Sequence, residues 1–83
     1  MRSIEDVRKD ISAIDVKIRD LFIERLNLIQ EIKEIKIATS YPFVDSRREE
    51  EMKNTYTKDL SCYKSEYLEL FNKILEISKK TYK

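Results

Sequence analysis

The feature that most constrains this chain is one apolar stripe running through nearly its first half. Ile4, Val7, Ile11, Ile14, Ile18, Leu21, Leu28, Ile32 and Ile35 recur mostly at alternating intervals of three and four, which puts them on one face of an α-helix. Few residues could interrupt that helix, because the chain has no glycine and its single proline is Pro42. Ser3 with Asp6 resembles a capping box at the start. The pattern runs to about Ile37, where "IATSYPF" breaks it with β-branched residues and Pro42. The spacing therefore predicts a first helix over roughly residues 4 to 38, on the order of 50 Å long at 1.5 Å per residue. A compact globule of this chain length would be only about 25–30 Å across. Such a helix projects beyond its own domain, and its stripe needs covering by another chain. The expected assembly is an intertwined homodimer, with a coiled-coil rod as the competing arrangement.

Ser46-x-x-Glu49 is a second capping box, so a second, short helix is expected from residue 46 to about residues 55–57. A third begins near Ser61. Its stripe reads Tyr63, Tyr67, Leu70, Phe71, Ile74 and Leu75, then continues in hydroxyls through Ser78 and Tyr82. The fold class expected is all-α, with one very long, one short and one medium helix forming a single domain over residues 1–83. No internal repeat or low-complexity segment interrupts it.

Composition narrows the chemistry. Charged residues make up 40% of the chain, yet the formal net charge is only +1. A protein dedicated to nucleic acid or to a membrane surface would carry a clear basic excess, so neither partner is expected. No apolar run approaches the length of a membrane span, and "MRSIEDVRKD" has no apolar stretch of signal-peptide type. A cytoplasmic location follows as an expectation. The lone Cys62 permits no internal disulfide, and the absence of histidine removes His-based acid, base and metal sites. Without glycine there is no Gly-rich phosphate loop. An enzyme built from this inventory would need no nucleophile, metal, redox group or cofactor.

Polar residues interrupt the stripe where apolar ones belong. Arg25 falls between Leu21 and Leu28. A buried guanidinium without a partner is very costly, so Arg25 either sets register through an ion pair across a dimer or binds an anion inside a helix bundle. Lys36 lies on nearly the same face, on the order of 16 Å along the axis. It reads equally as a lysine snorkelling at a helix end or as a second cation for the same space. Arg8 flanks the stripe roughly 25 Å from Arg25, too far to serve one small ligand within a single chain. In an antiparallel dimer the partner's copy of Arg8 would join Arg25 and Lys36, giving two identical sites completed across the interface. Ser78 and Tyr82 extend the third stripe as hydroxyls, with a frayed, solvated C-terminus as the plainer alternative.

Taken together, "VRKDISAIDVKIRDLFIERLNLIQEIKEIK" followed by "PFVDSRREEE" resembles the all-helical, type II chorismate mutases. That family shows an R-x-x-I-x-x-[IL]-D opening, an E-R middle, a late lysine and a P-[IV]-x-D-x-x-R-E helix start. Here these read Arg8, Ile11, Ile14 and Asp15; Glu24 and Arg25; Lys36; and Pro42, Phe43, Asp45, Arg48 and Glu49. The resemblance spans almost the whole chain. It implies a dimer of three-helix protomers that converts chorismate to prephenate in phenylalanine and tyrosine biosynthesis. It also implies that Arg25 and the Arg8 of the other protomer hold two carboxylates, and that Lys36 reaches the ether oxygen and a carboxylate. Glu49 would accept the ring hydroxyl beside backbone around Asp45 and Arg48, and Ser78 would lie near a carboxylate. Two positions depart from the pattern. Tyr82 stands where Gln or Glu usually donates to the ether oxygen, and Lys79 where an apolar wall residue is common.

The reaction suits the inventory. One C–O bond breaks and one C–C bond forms within a single molecule, with no proton transfer or covalent intermediate. The site has to hold the enolpyruvyl arm over the ring and stabilise negative charge growing on the ether oxygen. An isochorismate-pyruvate lyase on the same fold would share the cations. A non-catalytic helical dimerisation module would explain the stripe but not Arg25, Lys36 and the P-x-x-D-x-x-R-E run together.

Overall fold

The structure, a computed structural model, describes residues 1–39 and 46–81. Among these described residues three helices follow in order: α1 (Ile4–Thr39), α2 (Ser46–Thr57) and α3 (Lys64–Lys80). Among the described residues there is no strand, so the all-α expectation holds. No helix among them is long and apolar enough to cross a membrane.

α1 runs for 36 residues, one residue past the expected end. Its start is capped as the sequence suggests. The Asp6 amide donates to Ser3 Oγ at 3.1 Å, satisfying one of the N–H groups a helix start leaves open. Glu5 and Asp6 lie in the first turn and Lys36 in the last, the charge order the helix dipole favours. α2 starts at Ser46 and ends at Thr57, whose buried hydroxyl donates back to the Lys53 carbonyl at 2.7 Å. The Leu60 amide then donates to the Thr57 carbonyl at 3.1 Å, closing a turn.

The third helix differs from expectation at its start. It begins at Lys64, not near Ser61. Tyr63 sits ahead of it with φ 63°, a left-handed conformation, and its carbonyl accepts the Tyr67 amide at 2.9 Å. Tyr63 is 74% exposed and therefore not part of the α3 stripe. The backbone reverses at this residue, so an apolar side chain in step with those that follow is carried away from the face they share. Left-handed φ is costly for a residue with a Cβ, and in a chain without glycine a tyrosine bears that cost.

The core is small and lies where α3 meets the other two helices. Phe71 and Leu75 are its buried apolar residues, with Thr57 and Ser78 its buried polar ones. Phe71 packs edge-on against Tyr56 of α2 (centroids 5.7 Å apart) and stacks on Tyr67 (5.9 Å), geometries that aromatic pairs favour. From α1, Phe22, Arg25, Leu26, Ile29, Lys33 and Lys36 are half-buried. By contrast, every residue from Met1 through Leu21 is exposed. Further along α1, Leu28, Ile32 and Ile35 stay open as well, Leu28 at 54%. The molecule measures 56 × 26 × 16 Å, with a radius of gyration of 16.4 Å, against about 12 Å for a compact chain of this length. α1 thus presents an apolar flank along most of its length that its own chain does not cover.

Candidate active site

Arg25 projects from the middle of α1 toward α3. Its Nη1 donates to Ser78 Oγ at 2.5 Å, and the Ser78 hydroxyl donates in turn to the Ile74 carbonyl at 2.8 Å. The guanidinium carbon lies 6.0 Å from the centroid of the Phe71 ring, within cation–π range. Gln30 Nε2, further along α1, donates to the Thr81 carbonyl at 3.3 Å and ties down the end of α3. Among the described residues no carboxylate pairs with Arg25. A hydroxyl and an aromatic face hold the guanidinium in place, and no carboxylate among the described residues neutralises its charge. One of its five donors is taken by Ser78.

Ser78 is only 4% exposed. The frayed-terminus alternative therefore does not apply to it. Ser78 is one turn past Ile74 on the face that α3 turns to α1, which is why extending the apolar stripe by four residues locates it. Lys36 is half-buried on the same side of α1 as Arg25. Arg8 is exposed near the other end of α1, roughly 25 Å along the helix from Arg25. The structure does not bring these two residues together within one chain. Asp45 and Tyr82 lie outside the described residues, as do Pro42 and Phe43.

Arg48 and Glu49 occupy the first turn of α2. Arg48 is exposed. The Glu49 side chain is 18% exposed and forms an ion pair with Lys79 of α3, which is 45% exposed. Lys79 Nζ stands 3.0 Å from Oε1 and 3.2 Å from Oε2, reaching both oxygens of the carboxylate. An open groove of about 340 Å³ runs beside this pair, lined by Glu49, Lys53, Leu75 and Lys79 among others. Neither Arg25 nor Ser78 lines it. Consecutive residues of α3 point about 100° apart, so Ser78 faces α1 while Lys79 faces α2. The Lys79–Glu49 contact escaped the sequence reading because it joins residues thirty positions apart and depends on how α2 crosses α3.

On the outer surface of α3, Lys73 donates to Glu76 at 3.1 Å, and Lys80 lies 3.5 Å away. The hydrogen bond from Lys73, with the charges of both lysines, holds the Glu76 carboxyl below its ordinary value of 4.5. Cys62 is exposed. No group of potential metal ligands is gathered among the described residues.

The fold and the cluster define a class: small all-α proteins in which a long helix mounts an uncompensated arginine opposite a hydroxyl-bearing helix. Residues 7–83 match the family described as chorismate mutase type II, and the chain belongs to that family. The match takes in every position singled out above, from Arg8 to Tyr82. No curated protein and no solved structure matches the chain.

Proposed function

We propose that this protein is a chorismate mutase that works as a homodimer, rearranging chorismate to prephenate for phenylalanine and tyrosine synthesis. The observation that carries the reading is Arg25. Its guanidinium is half-buried on an apolar helix face and oriented by buried Ser78, with no carboxylate of the described residues to neutralise it. A site prepared in this way has a cation ready for an anionic ligand. Membership of the family supports chorismate, a dianion, as that ligand.

In this reading Arg25 and the Arg8 of a second protomer grip the two carboxylates. Lys36 approaches the ether oxygen and a carboxylate. Glu49 accepts the ring hydroxyl, beside the backbone of Asp45 and Arg48. Ser78 keeps Arg25 aimed and lies beside a carboxylate, and Tyr82 donates to the ether oxygen. The residues act by restraint and by charge. Binding selects the conformer with the enolpyruvyl arm over the ring. The cations meet negative charge as it grows on the ether oxygen, where losing a single preorganised donor costs about 3–4 kcal/mol. The uncovered flank of α1 supports the second protomer. Side chains such as Ile18 and Leu21, 55% and 64% exposed, would each contribute on the order of 1 kcal/mol once covered.

The test is to incubate the purified chain separately with chorismate and with isochorismate, and to identify the products. Prephenate from chorismate supports the reading. Pyruvate from isochorismate without prephenate would assign the lyase reaction instead, and no turnover of either would leave a non-catalytic helical module. Sedimentation equilibrium on the same sample should find two-chain particles.

A further inference from the structure

We propose that Lys79 is a positioning residue that sets the protein's preference for a hydroxyl-bearing ring, by holding both oxygens of Glu49. The inference rests on the mutase reading and adds to it a residue outside the family's usual pattern. Lys79 Nζ lies 3.0 and 3.2 Å from the two Glu49 oxygens. The Glu49 side chain is mostly buried, whereas Lys79 is nearly half exposed. Lys79 is thus the more exposed partner, reaching from the groove side to a carboxylate that α2 has already placed inside.

An ionised carboxylate offers roughly four lone-pair positions. A single ammonium bridging both oxygens leaves acceptor capacity on each, and it fixes the plane of the group. This matters for a site that takes a dianion. An uncompensated Glu49 would repel the incoming carboxylates, and the repulsion grows as water is excluded. With Lys79 in place, Glu49 is locally neutral in net charge yet still accepts a hydrogen bond. The pocket can then read a neutral hydroxyl without losing its hold on the acids. α3 carries both contacts on consecutive residues, Ser78 facing α1 and Lys79 facing α2. Ser78 orients Arg25, and Lys79 orients Glu49.

A merely structural surface ion pair would contribute little and would have no bearing on which ligand binds. The experiment therefore compares Lys79→Met, Lys79→Arg, Glu49→Gln and the double variant Lys79→Met/Glu49→Gln. The readouts are kcat and KM for chorismate and the inhibition constant of a chorismate analogue lacking the ring hydroxyl. Losing one charge-assisted contact to the acceptor should raise KM about tenfold in Lys79→Met, with kcat far less affected. Lys79→Arg should recover most of that loss. The analogue should weaken less than chorismate in Lys79→Met, because it meets the unmasked Glu49 charge but has no ring hydroxyl to misplace, and Lys79→Met should add nothing in the Glu49→Gln background. An unchanged KM in Lys79→Met overturns the proposal while leaving the mutase reading intact. Equal weakening of chorismate and the analogue, or a full additional loss in the Glu49→Gln background, does the same. If the unaltered protein turns over no chorismate, the mutase reading fails first and this inference falls with it.

Discussion

A mixing experiment with two inactive variants tests whether each site is shared between chains. Arg8 and Arg25 are separated by roughly 25 Å along α1 at 1.5 Å per residue, so one chain cannot bring both to a small dicarboxylate. In a two-fold dimer each site would take Arg25 from one protomer and Arg8 from the other. Arg8→Ala alone and Arg25→Ala alone should each remove a cation from both sites. At about 3–4 kcal/mol per lost donor, each variant should fall by roughly 10²–10³ in kcat/KM. Now let the two variants be mixed in equal amounts, unfolded and refolded together. Random pairing makes about half the dimers mixed, and each mixed dimer has one intact site and one doubly altered site. About a quarter of all sites, and so about a quarter of the unaltered activity, should return. Activity is followed as loss of chorismate absorbance, and native mass spectrometry confirms that mixed dimers formed. A mixed population no more active than its parents would refute the shared site. A parent variant retaining near-normal activity would remove that arginine from it.

Three further outcomes are expected. Lys36→Ala should lower kcat with a smaller change in KM, since in the proposed reaction its charge would act mainly on the ether oxygen as the bond lengthens; a normal kcat would withdraw that role. Ser78→Ala removes the acceptor that orients Arg25, at a cost of about 1–3 kcal/mol for a buried donor left unmatched, so turnover should drop by roughly tenfold or more while helicity by circular dichroism is kept. Glu76, held below 4.5 in the folded chain by Lys73 and Lys80, lends stability that is present above its unfolded value and lost as pH falls through the lower folded one. Near neutrality Glu76→Gln should therefore melt slightly lower than the unaltered protein, and its melting temperature should decline less steeply below pH 5, so that the two curves converge in acid.

What could be read from the chain beforehand depended on whether the signal was local. α1 was legible because its signal repeats turn after turn and nothing between Ile4 and Thr39 breaks a helix. Arg25 stood out as a charge in an apolar register, and Ser78 as the next step along one. The start of α3 was not legible. The stripe passes through Tyr63 without a break, and only the backbone angle at that residue shows that the helix has not begun. The Lys79–Glu49 pair was also hidden. Each residue could be singled out on its own helix, but nothing local couples them, and only the crossing of α2 and α3 brings them within 3.0 Å.

The uncovered α1 has a consequence for how the protein comes into being. With every residue from Met1 through Leu21 open to solvent, a lone copy lacks the burial that stabilises most helices in water. Its first half should gain full order only on encounter. Refolding should then speed up with protein concentration, and the melting temperature should rise with it. A cell making few copies would hold many immature chains and little working catalyst, so output would grow more steeply than the amount of protein synthesised.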